Sequence, residues 1–201
     1  MLRPLSIDNE RGLLYNGSMD KKELILAEAA RLFAEKGYYG LGLTELLKRC
    51  DIPKGSFYYY FPNGKLQLIQ EVLEFSYHRM RGFMEMCLRC PTAMAGFSMM
   101  VDSLIDGIQK KRQLYSMLLS MIAIESVYLD EEINALCKRI YSDWQQLYAD
   151  GLVHFGMEPQ LARRKAQVLF SLIHGSLISS WIKQDAADLL LAKQSLADIL
   201  C

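Results

Sequence analysis

The sequence has few helix-breaking residues and no long apolar run. Only 13 of the 201 residues are glycine and 5 are proline, too few for a low-complexity or collagen-like chain. The most apolar stretches, residues 117–124 and 168–182, are short or interrupted by Ser, His and Gly, well below the roughly 18 unbroken apolar residues of a membrane-spanning helix. With 51% hydrophobic and 23% charged residues the composition is globular, and we expect no membrane partner.

The chain also lacks net charge, because 23 basic residues balance 23 acidic ones. A nucleic-acid-binding surface would therefore have to be local. Its five cysteines are an odd number spread over a long chain, which indicates free thiols rather than a disulfide framework. The first 19 residues have neither the apolar stretch nor the cleavage site of a signal peptide, so we expect a cytoplasmic protein.

Helical periodicity begins after Met19. Residues 1–18 show no helical period and are predicted to be a flexible tail, whereas Asp20 is a good N-cap for a strongly helical segment. This break indicates Met19 as the physiological start, a hypothesis that peptides from before Met19 in the native protein would contradict. From Asp20 onward helix signals recur to the end, and the chain is predicted to be all-α.

The first three predicted helices have the outline of a helix-turn-helix unit, assigned to residues 19–65. The first runs from about residue 21 to 36 and ends at Gly37, where a left-handed C-cap is expected. The second spans about residues 43–49, and a tight break before Pro53 leads to the third, residues 54–61. Two short helices joined by such a turn and preceded by a longer one are typical of DNA-binding proteins.

The third helix carries an unusual outward face. At about 100° per residue, Phe57 and Phe61 point together toward the core and Tyr59 points directly away. Consecutive tyrosines are often half-buried core residues or occur by chance. Here their position between a turn and a helix break favours a surface that contacts phosphates, base edges and thymine methyl groups. Between Lys36 and Lys65 five basic residues outnumber two acidic ones, which supports a local basic unit.

The segment from Ala30 to Leu68, ARLFAEKGYYGLGLTELLKRCDIPKGSFYYYFPNGKLQL, resembles the DNA-binding domain of the TetR family of bacterial transcriptional regulators. Its FPNGK is one residue longer than the commoner F-P-x-K spacing and is similar to the branch that contains repressors of multidrug-efflux and related operons in Gram-positive bacteria. The C-terminal half resembles that branch around Glu125 and in CKRIYSDW, residues 137–144.

The resemblance implies a ligand-responsive regulator rather than an enzyme, with no cofactor or metal. We expect a homodimer that represses transcription from a palindromic double-stranded operator until a small hydrophobic effector releases it. Leu41 and Gly42 stand where many members have Thr or Ser, so one capping side chain and one phosphate contact are expected to be missing. The residues expected to contact DNA are Thr44, Lys54, Gly55, Ser56, Tyr58, Tyr59, Tyr60 and Lys65, with Thr44 and Lys65 holding phosphates.

Residues 66–201 are predicted to form a helical effector-binding and dimerisation domain, for about nine helices in the whole chain. After a fourth helix over about residues 65–90, further helices are predicted at about 92–110, 112–126, 130–155, 159–183 and 185 to the end. The eighth and ninth carry stripes that fit either a core or a dimer interface, and the resemblance favours the interface. Its predicted residues are Leu169, Ile173, Ser176, Leu177, Ser180, Trp181, Leu196 and Leu200.

Eleven methionines are many for a chain of this length. Methionine fills gaps in cores and also lines adaptable ligand pockets. Because the family houses an effector in the helical body, we expect a hydrophobic pocket there. Its predicted lining residues are Phe97, Met100, Tyr115, Met117, Met121, Trp144 and Tyr148.

Two other hypotheses remain open from the sequence. Cys87 and Cys90 form a lone CxxC, so an all-α thiol redox sensor or enzyme is one alternative. A helical interaction module without DNA binding is the other. His78, His154 and His174 each stand alone in a helical pattern and are expected in capping, core or surface roles.

Overall fold

The computed structural model describes residues 20–110 and 115–200, with the side chains of all but residues 115 and 116. The predicted tail, residues 1–18, and the hypothesis about Met19 lie outside the described residues. Within the described ranges every regular element is a helix, so the all-α prediction is confirmed. No helix there is long and apolar enough to cross a membrane.

Three helices form a small N-terminal unit, which we call the head, and seven helical segments follow as the body. The head contains α1 (Lys21–Gly40), α2 (Leu43–Cys50) and α3 (Lys54–Tyr60). The body segments are α4 (Gly64–Cys87), α5 (Ala93–Gln109), α6 (Tyr115–Ser126), α7 (Glu131–His154), α8 (Pro159–Lys183), α9 (Ala187–Gln194) and α10 (Leu196–Leu200).

Side-chain caps explain where several of these helices begin. Asp20, Thr92, Asp130 and Glu158 each accept a hydrogen bond from a backbone N–H in the first turn of the helix that follows. Such bonds satisfy amide groups that have no partner inside the helix. Pro159 then occupies the first position of α8, where its missing N–H costs nothing.

A continuous apolar core joins the head to the body. Ile25, Ala29, Leu32 and Phe33, which share one face of α1, are buried, and α1 packs against α4 and α6 as well as α2. Phe57 and Phe61 enter the same core with their ring centroids 5.2 Å apart. Burial of a side chain of this size stabilises the fold by about 1.5–3 kcal/mol, so the short α3 is held by its two anchors more than by its own hydrogen bonds.

The helix ends differ from the predictions at three places. Gly37 has the predicted positive φ, at 69°, but its ψ of 179° is extended, and a further helical turn follows to Gly40. Helix α4 ends at Cys87, because the amides of Arg89 and Cys90 bond only three residues back. The predicted last helix is divided at Ser195 into α9 and α10.

Close packing accounts for the early end of α4. A Cβ atom on Gly96, at the start of α5, would lie 2.6 Å from the carbonyl oxygen of Cys87. Only glycine permits this approach of the two backbones. The chain therefore turns sharply between α4 and α5, and Cys90 lies in that turn rather than on α4.

Candidate functional site

Helix α3 presents the tyrosine face that its sequence predicts. Phe57 and Phe61 are 0% exposed, whereas Tyr59 is 81% exposed. Tyr58 is also exposed, Tyr60 is half-buried, and Lys54 and Gly55 lie open to solvent beside the half-buried Ser56. The orientation expected for the two phenylalanines and for Tyr59 is therefore present, while contact with DNA itself stays a prediction.

Ring packing restricts the motion of this exposed face. Tyr58 lies edge-on against the buried ring of Phe57 at 5.3 Å, and Tyr59 and Tyr60 pack edge-to-face at 5.1 Å. The ammonium group of Lys54 lies 5.9 Å from the centroid of Tyr58. Because aromatic side chains have few rotatable bonds, such a surface loses little conformational entropy when it binds.

Helix α2 begins without a side-chain cap, as expected from the residues that precede it. Gly42 is its N-cap residue and provides no hydrogen bond to the first turn. Thr44 is exposed on that turn, so its hydroxyl is accessible to a phosphate. No atom would lie within 4 Å of a Cβ on Gly42 or Gly55.

Lys65 is half-buried and contacts the loop between α1 and α2. Its Nζ donates to the carbonyl oxygen of Leu41 at 2.7 Å and lies 4.5 Å from the ring centroid of Tyr38. Partial burial lowers the pKa of the Lys65 ammonium, while the nearby Glu125 carboxylate opposes that shift. Lys65 thus ties the start of α4 to the loop between α1 and α2, and the phosphate contact expected of it stays a prediction.

Two of the five cations counted in the head are paired with carboxylates. Arg49 pairs with Glu28, Glu35 and Glu45 at 3.1, 3.4 and 3.2 Å, and Lys36 pairs with Glu45 at 2.6 Å. Glu28 and Glu35 belong to α1 and precede Lys36, so the charge balance of residues 36–65 does not include them. The cations of that segment without an ion pair in the described part of the chain are Lys48, Lys54 and Lys65.

One carboxylate from the body connects α6 to the end of α1. The backbone N–H of Tyr38 donates to Glu125 Oε2 at 2.7 Å. A Cβ on Gly37 would overlap the same carboxylate, so the glycine leaves the space that Glu125 occupies. Helix α6 therefore packs against α1 of the head as well as against α4 and α7 of the body, and Glu125 in its last turn supplies the hydrogen bond to the head.

The predicted effector-binding residues fill the interior of the body. Phe97, Met100, Met117, Trp144 and Tyr148 are buried, and Met121 is half-buried; the side chain of Tyr115 lies outside the described residues. Phe97 and Tyr148 meet edge-to-face at 5.0 Å. A depression of about 260 Å³ lies elsewhere, between Leu88 on the α4 side and Gly151 of α7.

Sequence reasoning missed the residues that surround Trp144. His174 and Phe170 of α8 stack at 3.9 Å, and Tyr141 of α7 lies within 6.2 Å of Trp144. Each pair sits three or four residues apart on its own helix, so the sequence shows both pairs. It does not show that α7 and α8 face each other along most of their length.

The dimer-interface prediction needs correction at five of its eight residues. Leu169, Ile173, Leu177, Ser180 and Leu196 are at most 2% exposed in the single subunit, so they have no surface to offer a second copy. Ser176, Trp181 and Leu200 are half-buried. The periodicity identified the buried side of α8, whereas the apolar residues exposed on α8 and α9 are Val168, Ile182, Leu190 and Leu191.

The environment of Cys87 disfavours thiol chemistry. Burial, with a smaller contribution from the neighbouring Cys90, raises the pKa of the Cys87 thiol to about 12. The thiolate is the reactive form, and reactive cysteines have lowered pKa values. Cys87 packs inside the core while Cys90 lies half-buried in the turn beyond α4.

The all-helical fold and the tyrosine-bearing third helix define a helix-turn-helix transcriptional regulator. Residues 25–72 match the family described as bacterial regulatory proteins, tetR family. Residues 93–195, just over half of the chain, match the C-terminal domain described as transcriptional regulator LmrA/YxaF-like. The chain therefore belongs to the TetR family of bacterial transcriptional regulators, with a body of the LmrA/YxaF type.

Individual relatives agree along nearly the whole chain. The HTH-type transcriptional regulator LmrA of Bacillus subtilis is 28% identical over 182 residues, which cover 90% of this chain and 97% of LmrA. YxaF of the same organism is 24% identical over 178 residues, covering 88% and 93%. The reduced form of NemR from Escherichia coli has the same fold, with a TM-score of 0.78 at 23% identity over 90% of this chain and 96% of that one.

Proposed function

We propose that this regulator is a homodimeric repressor that binds a palindromic operator through α3 and leaves it when a small hydrophobic effector enters the body. The observation that carries the DNA-binding half is the orientation of α3: two buried phenylalanines hold an outward row of tyrosines. Exposed aromatic surface is unfavourable in water, and a helix that only faces solvent has no use for it.

The exposed groups of α3 suit a major groove. The tyrosine hydroxyls can bond phosphates and base edges, and their rings can contact thymine methyl groups. The exposed Lys54 adds a phosphate contact, and Gly55 lets the helix backbone approach the duplex closely. A single seven-residue helix reads only a few base pairs, so useful specificity requires two heads about one or more helical repeats (roughly 34 Å each) apart.

The apolar residues exposed on α8 and α9 support the dimer. Val168 and Ile182 lie on the outer side of α8, and Leu190 and Leu191 on that of α9. Leu191 and Ile182 are 62% and 75% exposed, which is unfavourable in an isolated subunit. A second copy packed on this surface would bury them in a two-fold interface.

Helix α6 supports a link between the effector and the head. Its buried residues Met117, Leu118 and Leu119 line the body core, and its last turn carries Glu125 to the end of α1. An effector that favours another position of α6 would change the placement of the head. Its differential affinity for the two states then sets the loss of operator affinity, typically about 1–3 kcal/mol.

A salt series tests the DNA-binding half directly. Binding of the purified chain to duplex DNA from upstream of its own gene is measured at increasing salt. The exposed Lys48 and Lys54 of two heads give about four phosphate contacts, for a log–log slope near −4. Lys54→Gln should make the slope shallower by about two, whereas Lys138→Gln, on the exposed side of α7, should leave it unchanged. A flat salt response would contradict the proposal.

A further inference from the structure

Two buried ring nitrogens lack a hydrogen-bond partner in the body core. Trp144 Nε1 of α7 and His174 Nε2 of α8 are both shielded from solvent and have no partner among the described residues. Their ring centroids lie 5.8 Å apart. Folded proteins pair nearly all of their buried polar groups, so two such atoms on neighbouring rings require an explanation.

The hydrogen-bonding role of each nitrogen is fixed. The indole Nε1 can only donate. The other ring nitrogen of the histidine, Nδ1, lies 3.1 Å from the carbonyl oxygen of Phe170, and because a carbonyl only accepts, Nδ1 carries the hydrogen. Burial lowers the pKa of His174 to about 4, so the ring is neutral near pH 7 and Nε2 is an acceptor. The pair therefore offers one donor and one acceptor.

Aromatic surfaces surround this pair. Phe170 stacks on His174 at 3.9 Å, and Tyr148 lies 6.0 Å from Phe170. The hydroxyl of Tyr141 donates to Ser120 Oγ of α6 at 3.2 Å, so that bond joins α6 to α7. A molecule that entered here would meet ring faces on most sides and would have to separate α6, α7 and α8 slightly to gain room.

We propose that Trp144 and His174 bind the hydroxyl group of an uncharged, flat, apolar effector. The hydroxyl oxygen accepts from Trp144 Nε1, and its hydrogen is donated to His174 Nε2. A carbonyl, an ether or a charged ammonium satisfies at most one of the two nitrogens, whereas an alcohol or phenol satisfies both. A second copy of the chain cannot take this place, because both atoms are already buried within one subunit.

This inference rests on the proposed function, since it names the chemistry of the effector. It also connects the effector to the head. Ser120, which bonds Tyr141, lies on the same helix as Glu125, which bonds Tyr38. Separation of α6 from α7 at the ligand would therefore act on the helix that contacts α1.

Three probes of similar shape test the hydroxyl requirement on the full chain. 2-Naphthol can donate and accept, 2-methoxynaphthalene can only accept, and naphthalene can do neither. Isothermal titration calorimetry should give the affinity order naphthol, methoxynaphthalene, naphthalene. Each lost hydrogen bond should weaken binding about tenfold, because a buried group is then left unpaired.

Two variants test which ring causes each difference in affinity between the three probes. His174→Phe keeps a stacking ring but removes the acceptor, so it should abolish the difference between naphthol and methoxynaphthalene. Trp144→Phe removes the donor and should abolish the difference between methoxynaphthalene and naphthalene. His154→Phe is the matched control: His154 is exposed and lines the depression on α4 and α7, and its loss should change neither difference.

Equal affinities for the three probes on the unaltered protein would overturn the inference, since a trapped water would then be the partner of both nitrogens. Loss of probe binding in His154→Phe would overturn it by moving the ligand to the surface depression. No binding of any probe, with salt-dependent operator binding intact, would remove this site and leave the DNA-binding proposal standing. These outcomes need only the unaltered chain and the control. The inference can therefore be refuted even if His174→Phe or Trp144→Phe fails to fold.

Discussion

Replacement of Gly37 by alanine tests whether the end of α1 and the end of α6 fit together as described. The residue combines φ 69° with ψ 179°, a region that only glycine adopts readily. Alanine there costs about 1–3 kcal/mol in backbone strain. Its Cβ would also displace the Glu125 carboxylate from the Tyr38 amide and remove a charge-assisted hydrogen bond of the class that contributes about 1.5–3 kcal/mol.

Because Glu125 is partly exposed, solvent replaces some of that bond, and we expect Gly37→Ala to lower the free energy of unfolding by about 3 kcal/mol. For a chain of this size the melting temperature should fall by roughly 6–12 °C, measured by differential scanning calorimetry. Gly82→Ala is the matched control, since Gly82 is exposed inside α4 with nothing near its Cβ, and alanine there should stabilise the helix by about 1 kcal/mol.

A double-mutant cycle separates the two causes. In a Glu125→Ala background no carboxylate is present to be displaced, so Gly37→Ala should cost only its backbone strain. The coupling between the two substitutions should be about 1 kcal/mol or more. If Gly37→Ala stays within about 0.5 kcal/mol of the parent protein, or if the two effects simply add, the fit between Gly37 and Glu125 is wrong.

Three further predictions concern α3 and the body core. Tyr59→Ala should weaken operator binding at least tenfold and leave thermal unfolding unchanged because the side chain is 81% exposed; loss of the fold would mean that α3 is oriented differently. Gly55→Ala should stabilise the free protein by up to about 1 kcal/mol yet weaken operator binding, and an unchanged affinity would exclude a close approach at that position. Burial holds the folded pKa of His174 at about 4, below its unfolded value near 6.5, so its contribution to stability is complete above pH 6.5 and is lost toward pH 4. Urea unfolding should therefore show a loss of about 2 kcal/mol from pH 7 to pH 5 that His174→Phe abolishes, and an equal loss in that variant would refute the assignment.

Local signals in the sequence predict most of the fold. The capping residues Asp130 and Glu158 set the starts of α7 and α8, and the 3.6-residue period places Phe57 and Phe61 in the core and Tyr59 outside. The observed bounds of α8 agree with the prediction. Such features depend on residues within one or two helical turns of each other, so they can be predicted before any tertiary contact is known.

Several features that the sequence does not predict depend on contacts between separate segments. The end of α4 depends on Gly96 of the next helix, and the role of Lys65 depends on Leu41 and Tyr38. The α8 stripe was assigned to a dimer although most of it is buried within the single subunit, because periodicity reveals an apolar side but not what covers it. The acceptor at His174 was missed for the same reason.

The pairing of Arg49 and Lys36 with carboxylates has a consequence for how the regulator searches a chromosome. Affinity for arbitrary duplex arises almost entirely from cations that displace counterions from phosphates. A head that neutralises much of its own positive charge adheres weakly to unrelated sequences, so fewer molecules are sequestered along the genome. Occupancy of the operator can then be maintained by a small number of copies, and release by an effector need not compete with a large reservoir of loosely held protein.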